Sequence, residues 1–189
     1  NILDYYNEHF DLSLEKEYEI IEIPFNKNDM NIGEETEAAG EFSFLALQKA
    51  CDLDEIKVYD DYAHHPTEIK AVLDAASTKF GKENIVAVFQ PHRYTRLKGL
   101  WNEFKGAFID AGRIVVTDVY SASEEPIGNI TGENFAKEIN AEHFSSDMEA
   151  VAKKLLPTLK ENNVVIGLGA GTITSLGKYL KENSFANRM

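Results

Sequence analysis

The feature that most constrains the fold is an alternation of short apolar runs with amphipathic segments, repeated about five times from residue 56 onward. The run at 85–89, Ile-Val-Ala-Val-Phe, is apolar throughout rather than alternating. Strands of this kind are buried on both faces, as in parallel sheets covered by helices. The pattern therefore predicts an α/β fold over residues 55–183, with a doubly wound, mostly parallel sheet and helices on both faces.

Turn and cap signals divide this region into elements. The predicted strands are residues 56–60, 85–89, 113–117, 142–145 and 163–167, and the predicted helices are 66–80, 97–111, 132–140, 147–160 and 172–182. Pro66 suits the first turn of a helix and Gly81 suits its end. Pro157 lies inside the fourth predicted helix and indicates a kink or an early end there.

The first 50 residues have a different composition. They hold 12 acidic and 3 basic residues, which is most of the net charge of −13. One strand is predicted at 17–24 and a polar loop at 26–40, and one face of a short helix is predicted from the residues Phe42, Phe44, Leu45, Leu47 and Ala50. We expect residues 1–54 to be a separate N-terminal segment, and residues 184–189 to be a tail.

Charge and composition exclude several classes of function. A net charge of −13 repels phosphate polymers, so we expect no nucleic-acid partner. No apolar run approaches the ~18 residues of a membrane helix, and no secretory signal opens the sequence, so we expect a cytoplasmic protein with no membrane partner. The single cysteine, Cys51, excludes an internal disulfide and a cysteine-rich zinc site.

Function should be sought where the predicted strands end, because open α/β sheets bind ligands at the carboxyl ends of their strands. After the first strand, residues 60–68 read Asp-Asp-Tyr-Ala-His-His-Pro-Thr-Glu, directly before a helix N-terminus, which favours anions. The alternative is structural: His65 or Thr67 caps the helix, while Asp60 and Asp61 are solvated.

The loop after the second strand, residues 90–96, carries a basic cluster in an acidic protein. Arg93 and Arg96 are three residues apart and share a face if the helix has begun, with His92 beside them. Two guanidinium groups can grip a carboxylate or a phosphate through paired hydrogen bonds. The alternative is a pair of surface salt bridges to nearby acids.

Two further loops carry weaker signals. Residues 118–127 form a long polar loop, and residues 167–173 form a glycine-rich turn between a strand and a helix. That turn lacks the complete dinucleotide-binding pattern, so we expect it to contact only a carboxylate or a phosphate.

A metal site is the weaker interpretation of these loops. It would need His64, His65, His92 and Asp61 to converge, whereas side chains of adjacent histidines tend to diverge. We therefore predict no metal-binding residues.

Four segments in the same order resemble the C-terminal domain of the Mur ligases, and within that family the enzymes that join L-alanine to UDP-N-acetylmuramate. They are Asp-Asp-Tyr-Ala-His-His-Pro-Thr-Glu (60–68), Gln-Pro-His-Arg-Tyr-Thr-Arg (90–96), Asp-Val-Tyr-Ser-Ala-Ser-Glu-Glu-Pro-Ile (118–127) and Gly-Ala-Gly-Thr-Ile (169–173). The resemblance covers residues 55–183 and implies a Rossmann-like fold.

The resemblance also implies a reaction. Mur ligases have a UDP-sugar domain, a central ATP-binding domain and a C-terminal domain that brings in the amino acid. The UDP-N-acetylmuramate carboxylate becomes an acyl phosphate at the expense of ATP, and the L-alanine amine attacks it, with Mg²⁺ balancing phosphate charge. The implied partners are L-alanine, ATP and UDP-N-acetylmuramate, and the implied process is peptidoglycan biosynthesis.

Matched residue by residue, the family pattern implies three roles. Asp61 matches an acid near the nucleotide ribose. His64 and His65 match the loop that faces the reacting centre, as catalytic residues. The substrate-binding set comprises Tyr62, His92, Arg93, Arg96, Ser121, Ala122, Gly169, Ala170, Gly171 and Thr172.

The sequence also departs from the family. It has no P-loop, since Gly81-Lys82 is followed by Glu83, and residues 47–55 are acidic where the family has a Gly-Val-x-Arg-Arg segment. Residues 1–54 are then a remnant of the central domain or an unrelated arm, and ATP and Mg²⁺ would be held mainly outside this chain, which we expect to be inactive alone. Two alternatives stay open: the ligase that reattaches recycled murein tripeptide, and a non-catalytic module that binds a small anion.

Overall fold

The computed structural model describes the backbone of residues 48–53 and 56–186, and the side chains of residues 56–184. Within these residues a six-stranded sheet has the order β1-β2-β6-β3-β4-β5. Its strands are β1 (Gln48–Leu53), β2 (Ile56–Asp61), β3 (Ile85–Phe89), β4 (Arg113–Val116), β5 (Glu142–His143) and β6 (Val164–Leu168). Strand β1 is antiparallel to β2, and the other neighbouring strands are parallel.

Helices cover both faces of the sheet. They are α1 (Pro66–Phe80), α2 (Tyr94–Gly99), α3 (Trp101–Lys105), α4 (Gly132–Glu138), α5 (Met148–Leu155) and α6 (Leu176–Ala186), with short 3-10 turns at Lys82–Asn84, Leu156–Thr158 and Thr172–Ser175. Successive strand residues point to opposite faces, so Phe89 packs under α1, α3 and α4 while Val88 packs under α5 and α6. The predicted doubly wound architecture is confirmed.

Most predicted elements lie where the sequence places them, and residues 66–80 and 85–89 match α1 and β3. Helix α5 ends at Leu155, before Pro157, as that proline indicates. The single helix predicted over 97–111 is wrong in its bounds and in its continuity. It begins at Tyr94, is interrupted at Leu100 (φ −116°, ψ 25°) and ends at Lys105, after which single turns continue the segment.

The N-terminal predictions lie mostly outside the described residues, including the strand at 17–24, the loop at 26–40 and positions 42–47. The helical assignment of Ala50 is wrong, because that residue lies in β1, which pairs with β2. The sheet therefore extends ahead of residue 55, where the sequence predicts the domain to start, and α6 continues to Ala186. None of the described helices is long and apolar enough to cross a membrane.

Candidate functional site

The strand order brings four loops to one edge of the sheet. Strands β2, β6, β3 and β4 are consecutive neighbours and parallel, so their carboxyl ends meet. Backbone bonds join the loops there: Gly169 N–H donates to the Asp61 carbonyl (3.2 Å), and Gln90 N–H donates to the Leu168 carbonyl (2.9 Å). The four segments singled out in the sequence therefore form one continuous surface.

A chain of aromatic rings crosses this edge. Tyr62 meets His64 edge-on (5.0 Å between ring centroids), His64 meets His92 (5.7 Å), and His92 stacks on Tyr120 (5.6 Å, 15° between planes). The chain links the loops that follow β2, β3 and β4. Sequence reasoning gives Tyr120 no role, because nothing local shows that it will reach His92.

The two adjacent histidines have different partners. His65 is the N-cap of α1, with its Nδ1 accepting from the Thr67 N–H (3.4 Å). Glu68 completes a capping box by accepting from the N–H groups of His64 and His65, each at 2.9 Å. His64 donates from Nδ1 to the Tyr62 carbonyl (2.9 Å), which leaves its Nε2 as an acceptor in the neutral ring. His65 thus caps α1, as the structural alternative expects, and its catalytic role stays a prediction, whereas His64 belongs to the chain of aromatic rings.

Asp61 has a strongly perturbed carboxyl group. Desolvation by burial is the main cause, and it raises the pKa of Asp61 to about 7. The negative charges of Asp60 and Glu68 act in the same direction, while the hydrogen bond from the Ala63 N–H (2.8 Å) opposes them. Asp61 therefore changes charge near neutral pH, which is typical of functional sites.

Arg96 and His92 form a direct pair in the basic loop. Arg96 donates from Nη1 to His92 Nδ1 (3.0 Å), so the neutral His92 ring carries its proton on Nε2. Desolvation is the largest cause that lowers the pKa of His92, followed by the electrostatic effects of Arg96, His64 and Arg93, while Glu124 acts in the opposite direction. Among the described residues no carboxylate lies within salt-bridge distance of either arginine, which disfavours the salt-bridge alternative.

Arg93 has a backbone conformation that side chains rarely adopt, with φ 71° and ψ 136°. Its N–H donates to the Tyr120 carbonyl (2.9 Å), and the Tyr120 N–H donates to the Pro91 carbonyl (2.8 Å). These bonds hold the strained residue in place. The Arg93 side chain is exposed and makes no side-chain hydrogen bond or salt bridge within the described part of the chain, although its charge helps to lower the pKa of Glu124.

The loop after β4 folds back onto helix α2. Ala122 and Ser123 both have positive φ (47° and 70°), in a tight turn closed by a bond from the Glu124 N–H to the Ser121 carbonyl (3.0 Å). The turn places Glu124 beside Thr95. The backbone N–H and the hydroxyl of Thr95 both donate hydrogen bonds to the Glu124 carboxylate (3.0 and 2.5 Å). Ser121 and Ala122 therefore shape the loop that closes against the arginine segment.

Gln90 holds the glycine-rich turn in position. Its side chain is fully buried and bonds both Thr172 and Ile173. A Cβ on Gly171 would lie 2.5 Å from Gln90 Oε1 and 2.6 Å from Tyr120 Cγ, so only glycine fits there. Sequence reasoning gave Gln90 no role, although an amide directly after an apolar strand is the signal that could have identified it.

The site thus brings together every predicted residue at one edge of the sheet, with arginines, imidazoles and a glycine turn in adjacent loops. Among the residues that the structure describes, no group of three His, Cys, Asp or Glu side chains is arranged to hold a metal ion. A cavity of about 320 Å³, lined by Lys57, Lys79, Phe80, Asn84, Asn162 and Val164, lies at the opposite, amino-terminal ends of the strands.

Known proteins match the part of the chain that contains these loops. Residues 47–171 match the family model described as Mur ligase, glutamate ligase domain. The chain is 47% identical over 125 residues to a UDP-N-acetylmuramate–L-alanine ligase of Bdellovibrio bacteriovorus, covering 65% of this chain and 27% of that protein. A protein of the same name from Sulfurihydrogenibium is 46% identical over 136 residues, covering 68% and 30%.

A solved structure shows the same relationship. The crystal structure of a UDP-N-acetylmuramate–alanine ligase from Thermotoga maritima matches with a TM-score of 0.56 and 29% identity, covering 75% of this chain and 30% of that one. The chain thus spans less than a third of the length of these curated relatives. The family model covers well over half of the 189 residues, and the chain belongs to the Mur ligase family, matching its glutamate ligase domain.

Proposed function

We propose that this chain is the C-terminal domain of an ATP-dependent ligase that adds L-alanine to UDP-N-acetylmuramate in peptidoglycan biosynthesis. The observation that carries the proposal is the His92–Arg96 segment, where an exposed Arg93 that makes no salt bridge and an Arg96 bound to a neutral imidazole share one loop. In an otherwise acidic protein, this is a local site for a carboxylate.

The amino acid is held by its carboxylate. Arg93 supplies a whole guanidinium group, and Arg96 keeps donors beyond the one bonded to His92. The proton on His92 Nε2 adds a neutral donor. The glycine turn at 169–172 and the Ser121–Ala122 turn complete the pocket. Holding the carboxylate at several points orients the amine, and orientation supplies much of the acceleration in such reactions.

The loop after β2 faces the reacting centre. His64, with a free Nε2 acceptor, lies in the ring chain beside His92, and Tyr62 is exposed at its outer end. His65 caps α1 and so fixes the backbone of the loop. In the reaction the L-alanine nitrogen bonds to the acyl carbon and the bond from that carbon to the phosphate oxygen breaks. Phosphate leaves, and in the net step it carries away the proton that the amine loses.

ATP supplies the phosphoryl group that activates the UDP-N-acetylmuramate carboxylate. Asp61 suits a ribose hydroxyl, since a carboxyl group with a pKa of about 7 both donates and accepts hydrogen bonds near neutral pH. Mg²⁺ in phosphoryl-transfer enzymes is bound by one or two carboxylates together with the phosphates of the nucleotide, and the described residues contain no cluster of three ligating side chains that would hold it by themselves. We propose that the phosphates and Mg²⁺ lie mainly in parts of the enzyme outside this chain, and that the chain alone does not turn over.

The recycling ligase remains a second candidate from the same family, and substrate choice separates the two. Six curated relatives at 44–47% identity are named UDP-N-acetylmuramate–L-alanine ligase, and they favour the alanine-adding reaction. In the full-length enzyme, L-alanine and murein tripeptide should therefore differ sharply as ATP-dependent acceptors. Turnover with tripeptide and none with L-alanine would reverse the assignment.

The decisive test removes one charge at a time. In the full-length enzyme Arg93→Ala should raise the KM for L-alanine at least tenfold, the size expected for a charged hydrogen bond worth about 1.5–3 kcal/mol. Lys98→Ala is the matched control, because it removes an exposed positive charge from helix α2, which begins directly after Arg93. Equal KM values for the two variants would contradict the assignment of the carboxylate to this loop.

A further inference from the structure

Gln90 is the fully buried amide at the centre of the site. Its Oε1 accepts from the Ile173 N–H (3.0 Å), and its Nε2 lies 2.9 Å from Thr172 Oγ1. These partners are 82 and 83 residues away along the chain. Gln90 also lies two residues before His92, so one side chain joins the arginine segment to the glycine turn.

The orientation of the amide follows from its partners. The Ile173 backbone N–H can only donate, so it must face the amide oxygen of Gln90. The amide nitrogen then donates to the Thr172 hydroxyl oxygen. Because that oxygen already accepts from Gln90, the Thr172 hydroxyl hydrogen is left to donate elsewhere, and Thr172 is exposed at the edge of the sheet.

The turn has little freedom to choose another shape. A Cβ on Gly169 would lie 2.8 Å from the Gln90 carbonyl oxygen, and Gly169 itself has φ +147°. The turn therefore contacts Gln90 directly through the backbone of two glycines, Gly169 and Gly171. A change at Gln90 is transmitted to the turn through close backbone contact as well as through hydrogen bonds.

We propose that Gln90 is a positioning residue, which fixes the glycine turn and holds the Thr172 hydroxyl as an outward hydrogen-bond donor to the carboxylate of the amino-acid substrate. The identity of that ligand rests on the proposed function, whereas the positioning of the turn does not. Only glutamine has the required length and both polar groups. An ionised Glu at this position cannot donate a hydrogen bond to Thr172, and Asn is one methylene too short. An apolar side chain leaves the buried Ile173 N–H without an acceptor.

Hydrogen exchange on the 189-residue chain tests the positioning. In Gln90→Met the Ile173 amide should exchange at least about fivefold faster, since the lost bond is worth about 1 kcal/mol or more. The amides of Val165 and Ile166 in the neighbouring strand serve as internal references and should be unchanged. Equal protection of Ile173 in the wild type and the variant would overturn the proposal.

If Gln90→Met does not fold, Gln90→Glu replaces it. In that variant the Ile173 amide should stay protected from exchange, because the carboxylate accepts a hydrogen bond from its N–H. Loss of that protection would overturn the proposal.

L-alanine binding to the full-length enzyme, measured as a dissociation constant, tests the donor. Thr172→Val should weaken L-alanine binding several-fold, and so should Gln90→Glu at a pH above the pKa of the new carboxyl group. The double variant should bind no more weakly than either single variant, because both changes interrupt the same series of hydrogen bonds. Thr172→Ser should bind like the wild type, and lowering the pH should restore Gln90→Glu. Additive losses, or an unaffected Gln90→Glu, would overturn the donor role. Failure of the wild-type full-length enzyme to bind L-alanine contradicts the proposed function instead, and the exchange result then decides the positioning alone.

Discussion

Arg96 donates a hydrogen bond from Nη1 to Nδ1 of His92 across 3.0 Å. This bond is possible only while His92 is neutral at Nδ1, so it opposes protonation of the ring. The contacting ring of His64 is in the other tautomer, because its Nδ1 donates to a backbone carbonyl. The Nε2 atoms of the two neighbouring imidazoles therefore have opposite roles: that of His92 is a hydrogen-bond donor, and that of His64 is an acceptor.

The first prediction concerns the pKa of His92. Desolvation is the largest cause of its low pKa and Arg96 is the next, so Arg96→Met should raise the pKa towards 6.5 without reaching it. The unfolded chain takes up the proton near pH 6.5 and the folded chain at a lower pH, so the stability from this group is complete above about 6.5 and is lost as the pH falls from there through the pKa of the folded state. NMR titration of the ring measures the pKa, urea unfolding as a function of pH measures the stability, and Lys98→Met is the control in both. An unchanged His92 pKa in Arg96→Met would contradict the pairing.

The second prediction separates backbone strain from charge at Arg93. A non-glycine residue at φ 71° costs about 1–3 kcal/mol, whereas glycine tolerates that conformation and loses about 0.5–1 kcal/mol of chain entropy. Arg93→Gly should therefore be more stable than Arg93→Ala by about 1 kcal/mol in urea unfolding. Both variants should lose L-alanine binding equally, since both lack the guanidinium group. A glycine variant less stable than the alanine variant would refute the strain.

The third prediction concerns the pH dependence of stability from Asp61. Its pKa is raised to about 7, so the folded state keeps a proton that the unfolded chain releases near 3.8. Stability from this group is complete below 3.8 and is lost as the pH rises through about 7. Asp61→Asn, which still accepts from the Ala63 N–H, should stabilise the chain at pH 8 by up to about 4 kcal/mol and have little effect at pH 4. Urea unfolding at both pH values measures this, with the exposed Asp74→Asn as the control.

The fourth prediction concerns the closure of the 118–127 loop. Glu124 accepts two hydrogen bonds from Thr95, and those bonds lower its pKa. Glu124→Ala should speed hydrogen exchange at the Thr95 amide and raise the KM for L-alanine in the full-length enzyme, because the loop no longer closes on the arginine segment. Glu125→Ala, at an exposed neighbour, should change neither quantity. Equal exchange rates in the two variants would rule out this closure.

The fifth prediction compares two glycines. Gly171→Ala places a Cβ against Gln90 and Tyr120, so it should destabilise the chain by about 1–3 kcal/mol. A Cβ on Gly99 meets nothing within 4 Å, and Gly99→Ala should be neutral or stabilising by up to about 1 kcal/mol. Thermal unfolding of both variants provides the comparison. A stable Gly171→Ala variant would show that the turn can move away from Gln90.

Local patterns predicted the elements well where a single segment contains the whole signal. Helix α1 carries its own capping residues and apolar spacing, and β3 is buried along its whole length. The α2–α3 region was predicted less well, because the helix start at Tyr94 depends on Arg93 being held in a strained conformation by the distant Tyr120. Such a bond has no signature in the segment itself.

The sequence by itself determined the fold class, the family motifs and the four loops that carry the chemistry, because apolar runs and end-of-strand polar clusters are local features. Only the tertiary structure decided how those loops meet: β6 enters between β2 and β3 and puts the glycine turn against Gln90. The perturbed pKa of Asp61 and the opposite tautomers of His64 and His92 follow from that packing. They depend on desolvation and on contacts between distant segments, which no spacing along the chain encodes.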